Sequence, residues 1–240
     1  MRDCYAEDDS YTYPGVSVLR NRLGITDLGE LEKQERIRVA LRLWKASGPP
    51  RTFDYTHFRA LHFYMFQDIY DWAGLERTVA ISKGGSVFAY PAYIRKQGLL
   101  IMADLRKGVL DAKHSALRFS TSLCVFVNEM NALHPFREGN GRVLREFIVT
   151  LAQAAGYGVA SHVLDDGPRW LKASIAGFRG HEQEMAELLA EMLITPATRR
   201  DEMFELADLS AKRRARLCAW LRRSGYPADI LIEYRATLRC

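Results

Sequence analysis

Between Leu133 and Val143 the chain holds Pro135, Gly139 and Gly141 among charged residues, a stretch through which no helix runs comfortably. On either side the apolar residues keep helical spacing. From Ser115 to Leu133, Phe119, Leu123, Phe126, Met130 and Leu133 recur at steps of four and three and form one apolar stripe. Beyond the break, Val143, Leu144, Phe147, Ile148, Leu151 and Ala155 do the same until Gly156 supplies a stop. Two core helices joined by a polar loop make the chain mainly α, and the loop is too polar and glycine-rich to be there for packing.

The loop residues converge on one chemistry. Gly139, Asn140 and Gly141 are short, tolerate unusual backbone angles and lead into a helix N-terminus. Free N–H groups and the helix dipole make such a terminus an anion site, and Arg142 and Arg145 add positive charge one turn apart. Glu138 would repel a phosphate unless Mg²⁺ sat between them, since that hard cation takes carboxylate and phosphate oxygens together. His134 completes the set, because an imidazole with a pKa of about 6.5 accepts a proton near neutral pH. Base, metal ligand, anion cradle and paired arginines point to attack of a hydroxyl on a nucleotide phosphate. The competing reading is an ordinary turn with a capping histidine and solvated arginines. A dinucleotide fingerprint is excluded, because the third glycine is missing at its spacing and no strand precedes the loop.

Residues 134–145 fill every specified position of H-x-F-x-(D/E)-G-N-G-R-x-x-R, the signature of the Fic family, which the chain resembles. The resemblance extends to Asp68-Ile69-Tyr70-Asp71-Trp72-Ala73-Gly74 with Arg77-Thr78-Val79, similar to the family's D-(I/V)-Y-x-W-A-G-x-x-R-T-V. It also takes in Tyr13-Pro14-Gly15 and the following residues with Arg22, similar to the start of one bacterial Fic subgroup. It implies a Fic fold, a helical bundle around a helix–loop–helix active site with a small β-hairpin flap. It further implies transfer of AMP from ATP to a protein hydroxyl. On this resemblance His134 is the base, Glu138 the Mg²⁺ ligand, and Gly139, Asn140 and Gly141 the anion hole for the α- and β-phosphates, Asn140 with its side chain as well. Arg142 would hold the β/γ end, Arg145 the γ-phosphate, and Phe136 would anchor the loop in the core. Gly141 stands where phosphorylating relatives carry lysine, which favours AMP transfer.

The rest of the chain reads as follows. Residues 1–12 look irregular, and Val16 to Ile25 reads as a turn and a short helix. Asp27 caps a helix to about Trp44, with Leu28, Leu31, Leu41 and Trp44 on one side. Ser47-Gly48-Pro49-Pro50 is a loop, and Asp54 caps a helix whose Phe58, Leu61, Met65, Phe66 and Ile69 are core. His57 and His62, five apart, do not share a helical face and read as structural. Thr78–Ser82 and Ser86–Tyr90 are β-prone around Lys83-Gly84-Gly85, hence a hairpin. By resemblance the stretch Thr78, Val79, Ala80, Ile81, Ser82, Lys83, Gly84, Gly85 is the flap that holds a target segment by strand addition. Pro91 opens a helix to about Lys107, Pro168 one to Phe178, and Glu182 to Ile194 forms another. Tyr157 is a candidate for the adenine pocket or, equally, a core tyrosine.

The 240 residues are expected to divide into a Fic domain over 13–195 and a basic helical extension over 196–240, with a helix from Arg199 to Arg223. That extension holds ten Lys/Arg against six Asp/Glu, a surplus of four within a net charge of +5. Such a run is a solvated helix face or a surface for nucleic acid or an acidic partner. No nucleic-acid motif is present, so nucleic acid is not the expected partner. The four cysteines lie scattered without C-x-x-C, and no apolar run reaches the ~18 residues of a membrane span. With no signal peptide either, the expected location is cytoplasmic, though secretion into a host stays open.

The expected partners are ATP and a protein presenting Ser, Thr or Tyr. Short stand-alone Fic relatives are toxins that modify topoisomerase ATPase subunits, and the chain is expected to be such a bacterial toxin. Relatives sharing the Tyr-Pro-Gly start head secreted effectors that modify small GTPases. A further alternative is a basic binding protein with an idle loop. The self-inhibitory (S/T)-x-x-x-E-(G/N) pattern is not completed, since Thr26 with Glu30 and Thr198 with Glu202 are followed by Leu31 and Met203. An external antitoxin whose glutamate covers Arg145 is therefore expected.

Overall fold

The computed structural model describes residues 4–5, 10–45, 48–84, 86–112 and 115–194. The expected helix Arg199–Arg223, the rest of the basic extension and Gly85 of the flap lie outside the described residues. Eight helices are described: α1 (Leu28–Trp44), α2 (Tyr55–Phe66), α3 (Pro91–Ala112), α4 (Ala116–Leu133), α5 (Asn140–Ala154), α6 (Ser161–Asp165), α7 (Gly167–Phe178) and α8 (Gln183–Met192). Among them no helix is long and apolar enough to cross a membrane.

The expected caps are in place. Asp27 Oδ1 accepts the Glu30 N–H at 2.8 Å, Asp54 Oδ1 accepts the His57 N–H at 2.8 Å, and Ser115 caps α4. Helix α4 is the central element, packed against α3, α5, α7 and α8, while α2 contacts α1, α3 and α5. The core between α2, α4 and α5 is aromatic. Phe147 lies edge-on to Phe58 at 5.4 Å and meets Phe126 at 5.5 Å, and Phe58 stacks on Phe136 of the loop at 5.7 Å. Phe136 is fully buried, so the loop is anchored in the same core as the helices. Leu28, expected on the inner side of α1, is 37% exposed.

Residues 16–25 do not form the expected helix. The Asn21 side chain organises them instead. Its Oδ1 accepts the N–H groups of Leu23 and Ile25 at 3.2 and 3.0 Å, and its Nδ2 donates to Leu19 and Ile25 carbonyls at 2.9 and 2.7 Å. A side chain that offers the backbone these bonds outcompetes a helical turn.

The hairpin is present but shorter than its β-prone residues indicate. Strand β2 (Ile81–Lys83) pairs antiparallel with β3 (Ser86–Val87), with Ser82 opposite Val87 and Lys83 opposite Ser86. The ladder stops where Arg77 begins. Its guanidinium, 2% exposed with its residue, takes Val79 O at 2.7 Å on one arm and Ala89 O at 2.5 Å on the other. The same group donates to His134 O at 2.8 Å and Leu133 O at 3.3 Å, and the Arg77 N–H to Pro135 O at 2.9 Å. One buried cation thus ties both flap strands to the end of α4. A third strand, β1 (Cys4–Tyr5), pairs antiparallel with β2, Tyr5 opposite Ile81. Residues expected to be irregular are drawn into pairing by the free edge of β2.

Arg77→Met removes these donors and leaves buried carbonyls unpaired. It should lower the unfolding free energy by on the order of 3 kcal/mol, read from urea midpoints. A loss below about 1 kcal/mol, the worth of one ordinary hydrogen bond, would contradict the role given to Arg77.

Candidate active site

The loop between α4 and α5 has no regular structure, and side chains bond much of its backbone instead. His134 caps α4 in the left-handed region, φ 47° and ψ 62°, its N–H bonded to Met130 O at 3.0 Å. Phe136 is held from both sides by one side chain. Its N–H donates to Asn140 Oδ1 at 2.9 Å, and its carbonyl accepts from Asn140 Nδ2 at 2.8 Å. The Asn140 amide, read from sequence as part of the anion hole, is therefore engaged inward in bracing the loop. Helix α5 begins at Asn140, three residues before the apolar pattern starts, and the Gly139 carbonyl accepts the N–H groups of Arg142 and Val143 at 3.1 and 3.0 Å.

His134 has a defined tautomer. Its Nδ1 lies 3.2 Å from Asn131 O, and a carbonyl only accepts, so Nδ1 carries a proton and, in the neutral ring, the lone pair falls on Nε2. The ring stacks on Phe88, just beyond β3, with centroids 3.9 Å apart and 17° between planes. The flap thereby fixes the plane of the imidazole.

Glu138 Oε1 accepts the Gly139 N–H at 2.9 Å and lies 3.3 Å from Arg142 Nη2. Arg142 Nη2 also reaches Glu35 Oε1 of α1 at 3.0 Å, and its guanidinium lies 4.7 Å from the Phe66 ring centroid. Burial works against the Arg142 charge, but Glu35 and then Glu138 outweigh it and its pKa is raised. Glu35 is itself 4% exposed and takes a second bond from Tyr70 OH at 2.9 Å, which with burial pushes the phenol up. Arg145 is different. A Cβ on Gly141 would lie 3.7 Å from its Nη1, and the guanidinium rests 5.6 Å from the Trp170 ring centroid of α7. Burial and the like charge of Arg142 hold its pKa below the usual arginine value, against the pull of Asp165. Such a cation is stabilised by an arriving anion.

The structure thus brings His134, Glu138, Gly139, Gly141, Arg142 and Arg145 to one loop and helix start. Tyr157 it places in the core, 5% exposed, with its ring 5.0 Å from Phe119. Three contributors were not picked out from sequence as site residues: Glu35, Arg77 and His62. A carboxylate four residues after Leu31 on the buried face of α1, and a histidine midway between Phe58 and Phe66, were the available signals. His62 is fully buried. Its Nδ1 accepts the Gly74 N–H at 2.9 Å, so Nε2 bears the proton and donates to Glu138 O at 2.9 Å.

Among the described residues no group of three or more His, Cys, Asp and Glu side chains could hold a metal ion. A lone carboxylate at an anion cradle nonetheless suits Mg²⁺, which is commonly held by one or two carboxylates plus substrate phosphates.

Burial lowers the His62 pKa from 6.5 to about 3. Because the folded value lies below the unfolded one, the unfolded chain binds the proton first. The stability contributed by the neutral ring is present above 6.5 and is lost as pH falls toward about 3. His62→Gln, which cannot titrate, should flatten this part of the acid limb. Unfolding midpoints for both proteins across that window check it, and parallel curves would contradict it.

Residues 52–152 match the model of the Fic/DOC family. The chain is 39% identical over 188 residues to "Probable protein adenylyltransferase y4lH" of Sinorhizobium fredii (strain NBRC 101917 / NGR234), across 78% of this chain and 95% of that one. With "Probable protein adenylyltransferase Fic" of Escherichia coli (strain K12) it shares 37% identity, across 75% of this chain and 90% of that one. Among solved structures it is similar to BepC, a VirB-translocated effector protein of Bartonella tribocorum with bound AMPPNP. The TM-score is 0.65 at 26% identity, covering 76% of this chain and 95% of that one. The FIC domain of Bep8 from Bartonella sp. 1-1C shares the fold, with a TM-score of 0.69 at 21% identity over 78% of this chain and 95% of that one. On the match to its family model and on these two relatives, which it spans almost end to end, the chain belongs to the Fic/DOC family.

Proposed function

We propose that the chain is a protein adenylyltransferase that moves AMP from ATP to a Ser, Thr or Tyr hydroxyl of another protein, with His134 as base and the start of α5 as phosphate cradle. The observation that carries this reading is the His134 ring, whose Nδ1–H is taken by Asn131 O while the flap stacks on its face. Nε2 accepts the proton of the target hydroxyl as its oxygen attacks the α-phosphorus. The bond between that phosphorus and the bridging oxygen to the β-phosphate breaks, giving a phosphodiester on the protein and pyrophosphate. Charge developing on the phosphate oxygens meets the N–H groups at the start of α5. Arg142 and Arg145 hold the β/γ end. A Mg²⁺ held by Glu138 and the phosphates would neutralise charge on the leaving pyrophosphate.

The flap reading gains a direction from the pairing. Phe88 N–H donates to Ile81 O at 3.3 Å, so by antiparallel alternation the N–H groups of Ser82 and Val87 point outward from the hairpin. The outer edge of β2 is covered by β1, while Val87 is 60% exposed. A target segment adds along β3, or along β2 once β1 is displaced.

Control from outside is part of this proposal. Glu30, the one described glutamate with the inhibitory spacing, is occupied on its own helix by Gln34 at 2.8 Å and Lys33 at 3.5 Å. A separate antitoxin glutamate reaching Arg145 would keep the γ-phosphate out.

His134→Ala should lower AMP transfer by about 10²–10⁴-fold with nucleotide affinity nearly intact, measured by intact mass of modified protein. Undiminished transfer would remove His134 from the mechanism. Glu138→Gln should lose activity that raised Mg²⁺ partly restores, and activity indifferent to EDTA would discard the metal role. Of Val87→Pro and Ser82→Pro, each deleting one outward N–H, one should impair target labelling while sparing ATP binding. Full labelling by both would reduce the flap to a surface hairpin.

A further inference from the structure

We infer that His62 is a positioning residue of the reaction: its Nε2–H, bonded to Glu138 O, sets which way the Glu138–Gly139 peptide faces and so aims the Gly139 N–H at the phosphate cradle. The inference rests on the cradle reading above. In a trans peptide the C=O and N–H point in opposite directions. The Glu138 carbonyl points into the core, 2.9 Å from His62 Nε2, so the Gly139 N–H points the other way, where it meets Glu138 Oε1 at 2.9 Å. The same plane turned over would present a carbonyl lone pair to the phosphates, a repulsive group where a donor is needed.

Glycine at 139 does not prevent that inversion. Its φ of 85° and ψ of 1° require glycine as the structure stands. Turning the plane over shifts φ by about 180° into a region glycine occupies as readily. The selection must come from the hydrogen bonds of that peptide, and on the buried side His62 supplies one. Close contact reinforces it, since a Cβ on Gly139 would lie 2.5 Å from Phe66 Cζ and 3.2 Å from His62 Nε2.

The ring that makes this bond is itself fixed. Gly74 N–H donates to Nδ1 at 2.9 Å, a donor that cannot change its role, so the only tautomer that satisfies both ends places the proton on Nε2. Phe136 stacks on the ring at 3.8 Å and 23°, and Phe66 at 4.6 Å and 28°. Gly74 adopts φ 74°, and a Cβ there would lie 2.8 Å from Phe63 Cβ, so the segment that fixes the tautomer is held against α2. The link runs from the Gly74 turn through His62 to the cradle.

Two substitutions separate the bonds. In glutamine the amide nitrogen stands as many bonds from Cα as Nε2 of histidine, so His62→Gln can still donate to Glu138 O while losing the acceptor for Gly74. In asparagine the amide oxygen matches Nδ1, so His62→Asn can keep Gly74 and loses the cradle bond. Steady-state AMP transfer to a protein target would be measured for both, per folded molecule and beside wild type and His134→Ala. Wild-type transfer lowered by His134→Ala in the same assay, with ATP binding retained, shows that the proposed reaction runs at this loop before His62 is judged. The expected result is a kcat on the order of 100-fold lower for His62→Asn, with KM for the target unchanged, and a His62→Gln recovering about tenfold or more of that loss. Asparagine at wild-type kcat, or both variants falling equally, overturns the inference. Should His62→Asn not fold, ¹⁵N NMR of the wild-type ring decides. An Nε2–H tautomer with a scalar coupling across the hydrogen bond to the Glu138 carbonyl supports the inference, and an Nδ1–H tautomer or the lack of that coupling overturns it.

Discussion

The backbone of residues 134–139 has no helix or strand to satisfy it, and its shape depends on buried polar side chains that do so instead. Arg77 takes the carbonyls of His134 and Leu133, Asn140 both polar groups of Phe136, and His62 the carbonyl of Glu138. Each of these groups lies inside, where an unmade bond is expensive, so the loop has little freedom to choose another arrangement. His134, the Glu138 carboxylate and the start of α5 are held in place by this bracing. The polar interior determines the loop, and the loop determines the chemistry.

Charge is arranged in the same layered way. Glu35 and Tyr70 sit beneath Arg142 and stabilise its cation inside the fold, while Arg145 meets burial and the like charge of its neighbour, opposed by Asp165, and rests on an aromatic ring. The surroundings of one arginine therefore raise its pKa and those of the other lower it.

The two core helices, their caps, the helical class and the loop were legible because periodicity and capping are local and strong. So was the loop to which the proposed site residues belong, through a motif dense enough to admit few other readings. The braces were less legible. His62 looks structural, and structural it is, but its bond to a carbonyl 76 positions away leaves no trace in local spacing. Glu35 sits on an apolar face, and only the fold brings Arg142 to it. The strands are cut short because Arg77 captures the carbonyls of Val79 and Ala89. The Asn21 turn replaces a helix because one side chain bonds four backbone groups. These outcomes are tertiary or side-chain competition, which propensity does not register.

The central claim is that this loop delivers the α-phosphoryl group with its nucleoside, not the terminal phosphate. Its most direct test is to incubate the chain and a bacterial lysate with ATP carrying radioactive phosphorus at either the α or the γ position. The account predicts protein-bound label from the α position alone, in stoichiometric match with pyrophosphate released. Label carried over from the γ position would contradict it, because the nucleotide would then lie in the opposite sense along the start of α5.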